Sequence, residues 1–146
     1  MTTGLDAFDS TVQQSNLWLK DLMTRLGTTD RHAAYQILRA TLHVFRDRIG
    51  HENAVHFGAQ LPMLIRGFYY EGWQLSKPQP KTRHVDDFLA AIEAEAGRSF
   101  GPDVQFKVKA VFATIAEKID AHEIEKLRKV LPAELQPLLQ EEFYLY

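Results

Sequence analysis

"DRHAAYQILRATLHVFRDRIG", residues 30–50, decides the fold class. Ala34, Ile37, Leu38, Thr41, Leu42, Phe45 and Ile49 recur at intervals of three and four, the period of an α-helix that buries one face. Thr28 or Thr29 is placed to cap its start by accepting an orphan backbone N–H, and Gly50 to end it in a left-handed conformation. Downstream, "VKAVFATIAEKI" (108–119) repeats the pattern with Val108, Val111, Phe112, Ile115 and Ile119. Gly101-Pro102 suits the start of that second helix, because a proline in the first turn forfeits no hydrogen bond. No stretch between the helical signals alternates apolar and polar residues as a half-buried strand does. The expected fold class is all-α.

Two such helices prompt a search for a repeat. Sliding the chain by 70 residues aligns 18–73 with 88–143 without a gap, and seven of the 56 pairs are identical, among them Gly27/Gly97, Ile49/Ile119 and Pro62/Pro132. Identity alone is weak, but the character of the pairs is not. Trp18 meets Phe88, Leu22 meets Ile92, Leu42 meets Phe112, Phe57 meets Leu127, and Asp47-Arg48 falls on Glu117-Lys118. The expected architecture is about eight helices in two tandem, pseudo-symmetric four-helix repeats, about 10–73 and 85–143, sharing one core. Two separate domains of that size would each be marginal. Residues 74–84, polar and carrying two prolines, read as a surface linker.

Composition narrows the partners. The chain has 146 residues, 45% of them hydrophobic and 25% charged, with a formal net charge of −2, so it reads as one globular domain with no global field to recruit nucleic acid. Cysteine is missing, which removes disulfides, thiolate nucleophiles and cysteine zinc sites and fits a reducing cytoplasm. The N-terminal "MTTGLDAFDS" lacks the basic start and apolar stretch of a secretory signal, and no run of eighteen apolar residues exists to span a membrane.

The stretch "LRATLHVFRDRIGHENAVHFGAQLPMLIRGFYYEGW" resembles the signature of a bacterial family known as "domain of unknown function 2267", and the resemblance covers about 17–139. It implies a small, mostly helical, cytoplasmic bacterial protein and supplies no catalytic residue, cofactor or substrate.

Chemistry is therefore argued from the residues themselves. "HENAVH" looks like the zinc-binding His-Glu-x-x-His, but His51 and His56 are five apart, about 140° around a helix, and diverge. His32, His43 and His84 form no recognised ligand set, so no metal and no cofactor are expected. Serines sit in no activating context, and no glycine-rich phosphate loop occurs. Asp86-Asp87 opens a helix, where carboxylates favour the positive end of the macrodipole.

Two surfaces remain. His32, Arg39, His43 and Arg46 fall near one stripe of the long helix, with Arg31 and Arg48 at its edges. Such a stripe is either a solvated face or a holder of phosphate or another anion. The second surface is "AQLPMLIRGFYYEGW" (59–73), where Leu61, Leu64, Ile65 and Phe68 form a core-facing stripe, with Met63, Arg66 and Tyr70 on another side. Gly67 suggests close approach of another backbone, Arg66 needs a carboxylate from elsewhere, and Tyr69, Tyr70 and Trp73 suit core packing between repeats or an interface. The tail "EEFYLY" (141–146) is expected to dock back on the bundle or cover a neighbour. The candidate binding residues are Arg66, Gly67, Tyr69, Tyr70, Trp73, Arg39, His43 and Arg46. The expected function is a non-enzymatic protein-interaction or binding module, with a protein partner or a second copy of the chain as the occupant. The alternative is a protein that binds a small anionic or apolar ligand between the repeats, and a third class is an enzyme with dispersed catalytic groups.

Overall fold

The computed structural model describes residues 2–97 and 100–139. Among them lie seven α-helices and no strand: α1 (Asp6–Leu26), α2 (Arg31–Arg48), α3 (His51–Gly58), α4 (Met63–Tyr70), α5 (Val85–Ala96), α6 (Val104–Lys118) and α7 (Ala121–Val130). The all-α expectation holds, but the count falls one short of eight. After Leu131-Pro132 the chain makes turns and a short 3-10 segment, Gln136–Leu138, in place of a last α-helix. Pro137 supplies the reason: it has no N–H to give to a preceding carbonyl, and its ring crowds the turn before it.

The helix ends follow local chemistry. Gly27 stops α1 at φ 70°, a conformation glycine adopts without a Cβ penalty. Asp30, rather than Thr28 or Thr29, caps α2, its carboxylate accepting from the Ala33 N–H at 3.0 Å. Thr28 acts one step back, its hydroxyl accepting from the Asp30 N–H at 3.1 Å. Gly50, with φ 92° and ψ 151°, lies just past the end of α2 and serves as the N-cap of α3. Pro102 precedes α6, whose first residue is Val104.

A single core joins the N-terminal and C-terminal helices. Trp18, Leu22, Leu38, Leu42, Phe45, Phe57 and Ile65 form one buried cluster with Phe88, Ile92, Val108, Phe112, Ile115, Leu127 and Leu135. Phe45 sits at its centre, meeting Phe57 and Phe112 edge-on at 5.2 Å each, an arrangement that aligns ring edges with ring faces. α2 packs against α5 and α1 against α6, so the two long helices of the first half are clasped by helices of the second. Polar contacts fix that register. Arg25 of α1 donates to the Thr114 hydroxyl at 3.0 Å and pairs with Glu117, and Lys118 pairs with Asp21. The Arg25 hydrogen bond holds the Glu117 carboxyl below its usual range.

Candidate functional site

The sequence singled out 59–73, and the structure divides its residues into those that build and those that line. Leu61, Ile65 and Tyr69 point inward and are buried. Tyr69 reaches past the core to donate its hydroxyl to the Ala54 carbonyl at 2.7 Å, and burial pushes that hydroxyl far above the ordinary phenol range. Met63, Leu64 and Gly67 are exposed.

The cationic residues are occupied by carbonyls. A helix leaves its last C=O groups without intrahelical partners, and cations there also meet the negative end of the macrodipole. Arg66 finds no carboxylate. It turns back to the end of α3 and donates to the carbonyls of Gly58 at 2.9 Å, Leu61 at 2.9 Å and Ala59 at 3.3 Å. Arg46 and His43 do the same for the end of α4. Arg46 donates to the carbonyls of Tyr69 at 2.8 Å and Glu71 at 3.0 Å, and also pairs with Asp47. Nε2 of His43 lies 2.6 Å from the Phe68 carbonyl and Nδ1 lies 2.8 Å from Glu95. Both side chains are buried, at 4% and 3% exposure, so neither belongs to a solvated face. Arg39, more open, holds Glu71 at 3.1 Å.

Tyr70 and Trp73 close the far side of α4. Their rings stack at 5.5 Å, with His51 edge-on to Trp73 and the Arg46 guanidinium 5.9 Å from the indole centre. His51 and His56 diverge, because His56 turns instead to Glu123 at 2.8 Å. The glycine under tight packing is Gly58, not Gly67. A Cβ on Gly58 would lie 2.8 Å from Cζ of Tyr70, whereas a Cβ on Gly67 would meet nothing within 4 Å.

Gly67 instead borders a groove of about 680 Å³ between α1, α2 and α4. Leu19, Tyr35, Leu38, Leu64, Ile65 and Phe68 give it an apolar lining. Tyr35 and Phe68 meet edge-on at 5.2 Å and form an aromatic wall. The polar groups are few: Ser15, Asn16, Arg31, His32 and Glu71. Asn16 Oδ1 accepts from Arg31 at 2.7 Å, which ties α1 to the first turn of α2. Ser15 Oγ is buried and finds no hydrogen-bond partner among the described residues.

Of the candidate residues, only Gly67 lines this groove, although Arg39 and His43 hold its edge in place through Glu71 and Phe68. Sequence reasoning missed Ser15, Asn16, Leu19 and Tyr35. A signal was present: Leu5, Phe8, Val12, Asn16 and Leu19 recur at helical spacing beside the core face of Trp18 and Leu22, so α1 has apolar residues on more than the face it buries. The expected docking of the tail 141–146 falls outside the described residues.

Fold and site together define an all-helical protein in which the ends of α3 and α4 are held by side chains from other elements, with an open apolar groove beside α4. The chain belongs to the family described as "Uncharacterized conserved protein (DUF2267)", which matches residues 15–138. No curated protein matches it. Among the described residues, no helix is long and apolar enough to cross a membrane.

Proposed function

We propose that this protein is a non-enzymatic binding module whose working surface is the α1–α2–α4 groove. The observation that carries the reading is the groove itself: its volume lies within the few hundred to about 1,000 Å³ of small-molecule sites, and its lining is mostly apolar with a few convergent polar groups. The architecture belongs to the same proposal, as a tandem duplication in one domain with a linker at about 74–84. In support, α5, α6 and α7 each end or begin 70 residues after α1, α2 and α3, and Gln136 Nε2 donates to the Leu131 carbonyl at 3.0 Å just as Arg66 donates to Leu61.

A second reading gives the groove a protein partner, or a second copy of the chain. Leu5 just before α1, Phe8 and Val12 on it, and Met63 and Leu64 on α4 are exposed apolar residues, of which Leu64 lines the groove. Native mass spectrometry on protein from a bacterial cytoplasm, with Gly67→Leu as the matched variant, tests the proposal. Leucine at 67 enters open space and fills the groove, so it leaves the melting temperature unchanged or higher. Wild type is expected to carry a bound species that the variant loses. A variant that keeps everything the wild type binds, or two proteins that are equally empty, contradicts it.

A further inference from the structure

We propose that the groove takes a small molecule with an apolar body and a single anionic head, the head lying against Arg31 and His32. This rests on the reading of the groove as a binding surface and adds the chemistry of the occupant. The head group is read from charge. Arg31 and His32 occupy the first turn of α2, where unpaired backbone N–H groups add positive potential, and both side chains are exposed at the groove edge. Of the nearby carboxylates, Glu71 is paired with Arg39 at 3.1 Å, while Asp30 keeps its charge and is turned to the helix start, accepting the Ala33 N–H at 3.0 Å. Asn16 fixes one guanidinium nitrogen of Arg31 and leaves the other donors of the fork to an incoming anion.

The body is read from the lining. Leu19, Leu38, Ile65 and Phe68 offer aliphatic and aromatic surface, and Tyr35 adds a ring face. Independently, Ser15 points to a ligand. Ser15 is among the groove's lining residues and is 8% exposed, and its buried hydroxyl has no partner among the described residues; a buried hydroxyl without a hydrogen bond is costly, whereas a carbonyl, ether or hydroxyl of a bound molecule reaching it would satisfy it.

The test uses the full chain and anilinonaphthalene sulfonate, an apolar-bodied monoanion whose fluorescence rises on leaving water, with decanoate, decanol and decyltrimethylammonium as competitors below their micellar concentrations. The expected result is a fluorescence gain that decanoate reverses at a concentration about tenfold lower than decanol, with the cation weaker still; tenfold corresponds to about 1.4 kcal/mol. Arg31→Gln is expected to raise the decanoate requirement about fivefold and leave decanol unchanged, and Gly67→Leu to abolish both at unchanged melting temperature. If decanol competes as well as decanoate, or Arg31→Gln changes nothing, the anionic head is wrong while the groove still binds. If Gly67→Leu binds the dye as wild type does, or wild type binds none, the groove reading falls as well.

Discussion

The segments 61–70 and 131–139 start with the same Leu-Pro step and bury the same positions, yet they end as different structures. Leu61, Ile65 and Tyr69 in the first correspond to Leu131, Leu135 and Leu139 in the second, and all six are buried. The outward positions diverge. Leu64, Gly67 and Phe68 border the groove, while Glu134, Pro137 and Leu138 stand at the matching positions of the second segment. Glu134 accepts from the Val85 N–H at 2.9 Å and pairs with His84 at 3.1 Å, tying the segment to the start of α5 where Leu64 faces the groove. Leu138 is buried, whereas Phe68 is only half-buried. The lesson is that inward residues set the shared scaffold, while the outward ones decide what each segment faces.

The sharpest way to break the comparison is to make the first segment like the second. Gly67→Pro removes an N–H from the middle of α4 and is expected to cost about 3 kcal/mol or more, measured by urea denaturation. The cations that cap the two ends provide the next contrast. Arg46→Ala strips the buried Tyr69 carbonyl and the part-buried Glu71 carbonyl of their donor and is expected to cost about 2–3 kcal/mol. Arg128→Ala removes the corresponding cap from the Leu139 carbonyl, but that side chain is 28% exposed and water replaces it, so about 1 kcal/mol is expected. Equal losses would mean that burial does not separate the two caps.

Gly58 and Gly67 make a smaller pair with opposite signs. Gly58→Ala drives a methyl into the Tyr70 ring and is expected to destabilise by about 1–2 kcal/mol, while Gly67→Ala, in open space on a helix, is expected to stabilise by about 0.5–1 kcal/mol. Thermal unfolding of both variants checks the signs.

The smallest effect is the pH dependence of the Glu134 clasp. The Val85 N–H and His84 hold Glu134 below its ordinary 4.5, and Glu134 holds His84 above its ordinary 6.5. The glutamate contribution is complete above 4.5 and lost as pH falls through the lowered value. The histidine contribution is complete below 6.5 and lost as pH rises through the raised value. The stability difference between wild type and Glu134→Gln is therefore expected to peak between about pH 4.5 and 6.5, with the histidine part disappearing at higher pH. A difference that keeps growing above pH 7 contradicts the pairing.

The helices were legible because Ile37, Leu38, Leu42 and Phe45, like Val108, Phe112 and Ile115, carry the helical period without interruption. The missing last helix was also written in Pro137, but the Leu-Pro match outweighed it. The site was harder to read. Arg39, His43, Arg46 and Arg66 have the composition of an anion site, and three-dimensional proximity turns His43, Arg46 and Arg66 to the carbonyl ends of α3 and α4, which sequence spacing does not reveal. Ser15 and Tyr35 lie on different helices and share the groove only once α1 and α2 are packed.

The most direct measurement is amide chemical-shift mapping by nuclear magnetic resonance during a decanoate titration. Saturable shifts are expected at Ser15, Asn16, Leu19, Arg31, His32, Leu64, Gly67 and Phe68, with the matching positions that carry an amide proton, Val85, Asp86, Leu89, Gly101, Glu134 and Leu138, unmoved. Shifts on the second set, shifts spread evenly over both, or none at all would contradict the assignment of binding to the first segment's groove.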